Sequence, residues 1–166
     1  MKHVIAVLVE NKPGVLARVS TMFARRGFNI HSLTVGPTED PGMSRMTVVV
    51  DGPEMEQIVK QLYKLVHTVK VTEFEPGTAI EREIMLVRVN AGPKLRGEIL
   101  DAARVCEAKA VDVGVTTITF EVTGTPDRLA DFLQLMSSYG VTALAKSGRI
   151  ALARDQKTAK TQSKSA

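Results

Sequence analysis

The stretch Val9-Glu10-Asn11-Lys12-Pro13-Gly14-Val15-Leu16 separates an apolar run from an amphipathic one, and it restricts the possible folds more than any other part of the chain. Before it, Val4-Ile5-Ala6-Val7-Leu8-Val9 is short and β-branched, as a buried strand requires. After it, Val15, Leu16, Val19, Met22 and Phe23 recur at helical spacing, with Arg18, Arg25 and Arg26 on the other side. Asn11 or Lys12 therefore falls at the helix cap and Pro13 in the first turn, where a missing N–H costs nothing. A strand that feeds straight into a helix leaves free N–H groups at the partly positive helix end. Such an end suits a small anion like a carboxylate, and Gly14 presents no side chain to block it.

The pattern continues regularly. Residues 28–35 alternate as a strand, with Phe28 and Ile30 facing one way and Asn29, His31, Leu33 and Val35 the other. Residues 36–42 are dense in turn formers and link two antiparallel strands, the second at 46–50. Met55, Ile58, Val59, Leu62, Leu65 and Val66 mark a second helix, and 69–74 a closing strand. The order β-α-β-β-α-β is the split-βαβ, ferredoxin-like plan.

After Pro76-Gly77-Thr78 the plan restarts, with Pro93 eighty positions after Pro13. Residues 84–89 resemble the first strand, 95–106 form a helix, and 110–113 with 117–122 a strand pair. Thr125-Pro126 opens a further helix carrying Leu129, Phe132, Leu133 and Met136. Strands at 141–145 and, after Gly148, at 150–152 complete the chain. The expected fold class is α+β, two tandem ferredoxin-like units at 1–76 and 81–154, joined by 77–80 and followed by a tail at 155–166. Each unit alone has a marginal core, so packing on the other unit or on a second chain is expected. The second unit has Ala91-Gly92-Pro93-Lys94 where the first has Asn11-Lys12-Pro13-Gly14, which points to ligand binding in the first unit only.

Charge and residue types narrow the function. Arg154, Lys157, Lys160 and Lys164 against Asp155 give residues 154–166 +3 of the total +4, so the body lacks the basic face of a nucleic-acid reader. The tail is polar and expected to be disordered. A single cysteine, Cys106, excludes an internal disulfide and suits a reducing compartment; its helical series with Leu95, Ile99 and Ala103 makes it a buried structural thiol. The N-terminal apolar run is too short for a signal peptide or a membrane span, which reads as cytoplasmic. His3, His31 and His67 have no ligand spacing; His3 and His67 read as surface residues, and His31 as a possible border of the ligand site. No Walker, G-x-G-x-x-G or G-x-S-x-G motif is present, so nothing supports bond-making chemistry or a cofactor in this chain.

Residues 11–16, followed by Arg26-Gly27-Phe28-Asn29-Ile30, resemble the ACT domain, an amino-acid-sensing module. The match lengthens through residues 29–35, Pro37-Thr38-Glu39-Asp40-Pro41, Ser44-Arg45-Met46-Thr47, Lys60-Gln61-Leu62 and residues 81–87. This ordered set is similar to the small regulatory subunits of acetohydroxyacid synthase, also called acetolactate synthase, closely over 3–89 and more loosely from 93 to 153. The resemblance implies a non-catalytic chain that activates a large catalytic subunit and confers feedback inhibition by a branched-chain amino acid, usually valine. Thiamine diphosphate, Mg2+ and FAD would belong to that partner alone. It also implies a homodimer through the first unit, with the effector held between chains. Carried over by position, Asn11, Gly14 and Asn29 are the main effector contacts, while Lys12, Pro13, Val15, Leu16 and Ile30 shape the pocket. The family commonly has Glu at the position of His31 and often Arg at that of Glu107. A stand-alone tandem ACT sensor acting on a different protein is the alternative.

Overall fold

The structure, a computed structural model, describes residues 2–52 and 55–155. The first unit runs β1 (Lys2–Glu10), α1 (Val15–Arg25), β2 (Ile30–Pro37), β3 (Met43–Asp51), α2 (Met55–Tyr63) and β4 (Thr68–Phe74). Its four strands form one antiparallel sheet in the order β2-β3-β1-β4. The second runs β5 (Ala79–Asn90), α3 (Arg96–Val105), β6 (Lys109–Val113), β7 (Thr117–Gly124), α4 (Pro126–Ser137), β8 (Val141–Lys146) and β9 (Ile150–Ala153). Its sheet has the order β6-β7-β5-β8, and β9 pairs with the first residues of β5. The expected pair of βαββαβ units is present. Ala79 and Ile80, read as linker from the sequence, already belong to β5. All but Asp155 of the tail read at 155–166 lies outside the described residues.

In each unit two helices cover one face of the sheet. Ile5, Val7, Val48 and Val50 meet Val19 and Phe23 of α1 and Ile58 and Leu62 of α2. In the second unit Met85, Val87, Phe120 and Val122 meet Ile99, Leu129 and Phe132. The Phe120 and Phe132 rings meet edge to face, with centroids 6.0 Å apart. Aliphatic residues carry both cores, as the shortage of aromatics requires. The far face of the first sheet is also dry: Val4, Ala6, Val49 and Phe74 pack on Ala79 and Ala151 of the β5–β9 pair. That third cluster is the apolar seam between the units.

Several local expectations are corrected. The first helix is capped by Gly14 in the left-handed conformation (φ 83°), not by Asn11 or Lys12, and Pro13 lies in the preceding turn. Asn11 instead remains tied to the sheet, its N–H donating to the Gly42 carbonyl at 2.8 Å. Strand β2 begins at Ile30 and its register slips between Ile30 and Ser32. This bulge at His31 turns Leu33 inward with Phe28 and Ile30, where strict alternation had put it outward. Helix α2 stops at Tyr63; Leu65 still packs on the core, but Val66 is 83% exposed. Cys106 is half-buried against the second core rather than fully enclosed. The cap-then-proline reading of Thr125-Pro126 holds, since the Thr125 hydroxyl accepts from the Arg128 N–H.

The repeat extends to single backbone bonds. Phe28 N–H donates to Phe23 O at 3.1 Å, and eighty residues on Ala108 N–H donates to Ala103 O at 2.9 Å. Gly27 (φ 71°) and Glu107 (φ 54°) occupy the same left-handed position between helix and strand. Glu107 is the one non-glycine residue at positive φ among the described residues, and its carboxylate accepts from Arg128 at 2.6 Å.

Candidate functional site

The β1–α1 junction follows from how β1 ends. Glu10 N–H donates to His67 O and Asn11 N–H to Gly42 O, so the sheet grips the chain until Asn11. The polypeptide then turns through Pro13 and left-handed Gly14 into α1. Among the described residues no carbonyl accepts from the N–H of Leu16 or Ala17, and Val15 N–H has only a long 3.4 Å bond to Lys12 O. No side chain caps the helix either. Its first turn therefore offers unsatisfied donors at the positive end of the helix dipole. A Cβ built on Gly14 would meet nothing within 4 Å, so the space beside these donors is open.

The flanking residues have distinct environments. Asn11, Lys12, Pro13, Gly14 and Leu16 are exposed, whereas Val15 is buried as the first core residue of α1. The Lys12 ammonium lies 2.6 Å from the Glu10 carboxylate, and His67 Nδ1 lies 3.0 Å from the same oxygen. The hydrogen bond from Lys12, then that from His67, holds the Glu10 carboxyl below the usual carboxylate range. Lys12 is thereby paired with its own chain, and the backbone N–H groups remain the unpaired donors of the junction.

Asn29 and Ile30 lie elsewhere. Strand β3 runs antiparallel to both β1 and β2, so β1 and β2 are parallel. Glu10 pairs with Met43 at one end of the sheet; Lys2 pairs with Asp51 at the other. Asp51 N–H donates to Asn29 O, which fixes Asn29 at the Lys2 end. Asn11 and Asn29 of one chain are thus separated by eight residues of strand, about 26 Å. Within one unit Asn29 lies beside the C-terminal end of the first helix, at the opposite end from Gly14. His31 projects from the bulge to bond Asp51, and this bond keeps the Asp51 carboxyl below its ordinary range. His3 and His67, expected at the surface, are half-buried against Glu73 and Glu10.

The matching junction of the second unit carries a charged side chain across it. Ala91 stands where Asn11 does and is fully buried, yet its N–H makes the equivalent bond, to Thr116 O at 2.7 Å. Arg96, counterpart of Leu16, folds back over the junction, and its Nη2 donates to the carbonyls of Gly114 at 2.7 Å and Val115 at 2.6 Å. A longer bond of 3.3 Å reaches Ala91 O. The loss of Asn11 and Gly14 was readable in the sequence; the arginine that fills the opening was missed. Its signal was an Arg in the first turn at the position where the first unit has the apolar Leu16.

Among the described residues no group of three or more His, Cys, Asp or Glu side chains could hold a metal ion, and no helix is long and apolar enough to cross a membrane. Residues 5–70 match the family model of the acetohydroxyacid synthase small subunit-like ACT domain, and residues 82–155 match that of the small subunit of acetolactate synthase. The chain is 52% identical over 159 residues to a protein of Archaeoglobus fulgidus named "Probable acetolactate synthase small subunit", covering 95% of this chain and 99% of that one. It is 48% identical over 155 residues to the acetolactate synthase small subunit of Mycolicibacterium smegmatis, covering 92% and 91%. The crystal structure of the Thermotoga maritima small subunit superposes with a TM-score of 0.85 at 39% identity, covering 93% of this chain and 98% of that one. The chain, an ACT unit followed by a second unit whose helix start is crossed by Arg96, belongs to the acetolactate synthase small-subunit family, the regulatory, non-catalytic subunits of that enzyme.

Proposed function

We propose that this chain binds a branched-chain amino acid, valine foremost, between the first units of two copies, and that occupancy inhibits a thiamine-diphosphate-dependent catalytic subunit which the chain otherwise activates. The observation that carries this reading is the unsatisfied first turn of α1 beside the open space at Gly14. An amino-acid carboxylate would take those N–H groups, its ammonium the amide oxygens of Asn11 and Asn29, and its aliphatic side chain the surface of Leu16 and Ile30. Lys12, Pro13 and Val15 would fix the shape of the junction.

A second copy reconciles this with the 26 Å separation. Strand β2 is an edge strand, and an unpaired edge is a template for another strand. Antiparallel pairing of two β2 edges about a two-fold axis sets the start of one strand beside the end of the other. Asn29 and Ile30 of the partner subunit would then come to the end of the sheet where α1 begins. Effector binding and pairing fall to residues 1–76. The effector can shift the catalytic subunit only by its difference in affinity for the two arrangements, about 1–3 kcal/mol in such couplings. Valine, leucine and isoleucine differ by a methylene or its position, worth about 1–3 kcal/mol in an apolar pocket.

The test is reconstitution of the full chain with the large subunit, assayed for acetolactate formation with each branched-chain amino acid and paired with calorimetry. Activation without effector and inhibition with at least one of the three is expected. Binding without any effect on the large subunit would return the chain to a free-standing sensor; absence of binding would remove the site.

A further inference from the structure

One turn, Ser147, Gly148 and Arg149 between β8 and β9, is hydrogen-bonded to both units. On the side of the second unit, Ser147 exchanges bonds with Ile84 of β5: its N–H donates to Ile84 O at 3.0 Å, and its hydroxyl accepts from Ile84 N–H at 3.1 Å. The Arg149 guanidinium donates to Glu81 at 2.8 Å and Glu83 at 3.5 Å, with all three side chains largely shielded from solvent. On the side of the first unit, the Arg149 N–H donates to the Ser32 hydroxyl at 2.8 Å, and the Thr34 hydroxyl donates to Ser147 O at 3.3 Å. Among the described residues these are the two hydrogen bonds that join β1–β4 to β5–β9.

Gly148 makes the contact possible. It is left-handed (φ 83°), and a Cβ there would lie 2.7 Å from Thr34 Oγ1 and 2.8 Å from Ser32 Oγ, both closer than real contacts permit. The turn therefore sits directly on β2, on the face away from the helices, because Ser32 and Thr34 pair with Val49 and Thr47. The apolar part of the seam lies on β1, β3 and β4, so it resists separation without fixing direction. β2 is different: it is an edge strand held by β3 alone, and Ser32 is two residues from Ile30.

The geometry points to the turn Ser147-Gly148-Arg149, seated on Ser32 and Thr34, as the joint through which the ligand state of the first unit reaches the second. This rests on the effector reading above. A ligand that draws Asn29 and Ile30 toward a second copy shifts the start of β2, and the turn passes that shift to β5 through Ile84 and the Arg149–Glu81–Glu83 group. None of these residues contacts the effector in that reading, so coupling and binding are separable.

The test is the holoenzyme with wild-type chain, the Ser32→Ala/Thr34→Val pair, Thr34→Ser, which keeps the hydroxyl, and Gly148→Ala. Effector affinity of the regulatory chain, activation of the large subunit and activity at saturating effector are read for each. Ser32→Ala/Thr34→Val is expected to bind effector within about threefold of wild type and to activate normally, while activity remaining at saturation rises about threefold or more. Thr34→Ser is expected to match wild type, and Gly148→Ala to follow the pair if its melting curve stays cooperative. Full inhibition of the Ser32→Ala/Thr34→Val chain overturns the joint, as does loss of effector binding in it. Failure of the wild-type chain itself to bind or inhibit strikes the effector reading instead.

Discussion

The two helix starts, α1 and α3, share a backbone and differ in what occupies them. Asn11 N–H and Ala91 N–H make the same bond to the loop before the third strand of their unit. In the first unit the donors beyond that point face open space beside Gly14. In the second, Arg96 lies across the junction on carbonyls of its own chain, and its buried Nε has no hydrogen-bond partner among the described residues. A duplicated scaffold supplied two equivalent helix starts; one presents Asn11 and left-handed Gly14, the other carries Arg96 across it. Fold alone therefore does not set the chemistry of a helix start; the few residues around it do.

The largest effect expected concerns stability, where the comparison predicts likeness. Phe120→Ala empties the ring contact with Phe132 in the second core and is expected to cost about 3–5 kcal/mol, with Phe23→Ala in the first core costing about the same. Because Ala79 and Ala151 seal the back of the first sheet, the halves are expected to melt together. Tyrosine fluorescence can check this directly. Tyr63 lies in the first unit and Tyr139 in the second, so Tyr63→Phe and Tyr139→Phe chains report one half each. Two separated transitions in wild type would show the seam to be too weak to couple the cores.

Next comes the difference in binding. Gly14→Asp puts a negative charge beside the unsatisfied N–H groups, and effector affinity is expected to fall about tenfold or more. Gly14→Asn is the matched control, since Asn and Asp both tolerate the left-handed conformation while only Asp carries charge. The corresponding exchange in the second unit, Lys94→Asp, is expected to leave affinity unchanged. Calorimetry on all three decides. Equal losses from Gly14→Asn and Gly14→Asp would mean that shape alone matters, and a loss from Lys94→Asp would move the site.

These contrasts also mark how far the sequence could be read. Periodicity located the helices and most strands to within a few residues because the core positions, such as Val19, Phe23, Leu129 and Met136, are aliphatic or aromatic at regular intervals. The bulge at His31 was not legible, since one slipped residue has no compositional mark, and it reversed the facing of Leu33. The cap at Gly14 was misplaced because Asn11 is a good capping residue that the sheet had already claimed. For the candidate site, sequence located the helix start but not the distance to Asn29, which depends on strand direction across the whole sheet. The pairing of β9 with the beginning of β5 was likewise a matter of tertiary register.

A third effect sharpens the contrast at the filled junction. Arg96→Ala strips the hydrogen-bond donor from the carbonyls of Gly114 and Val115 and is expected to cost about 1–3 kcal/mol where they stay shielded from water. Effector affinity is expected to hold, because Ala91 and Lys94 offer neither the amide nor the bare glycine of the first unit. Chemical denaturation and calorimetry on one preparation test both halves of the statement. New binding in the Arg96→Ala chain would mean that the arginine alone had kept the second opening empty.

The smallest effect is a pH dependence confined to the first junction. Glu10 accepts from Lys12 and His67 and has its carboxyl lowered below the usual range; Asn90 holds the matching position in the second unit and cannot titrate. A carboxyl lowered by folding stabilises the folded state above its unfolded value, about 4.3, and loses that contribution as pH falls through the lowered folded value. Wild type should therefore exceed Glu10→Gln in stability most clearly above about pH 5, with the gap closing as acid protonates the carboxyl. Asp51 is also lowered, by its hydrogen bond to His31, but is present in both chains, so it cancels from the difference. Denaturation midpoints of the two proteins, measured from mildly acidic to strongly acidic buffer, give that difference. Parallel curves throughout would mean that the Lys12 and His67 contacts contribute nothing in solution, and that Glu10 does not hold Lys12.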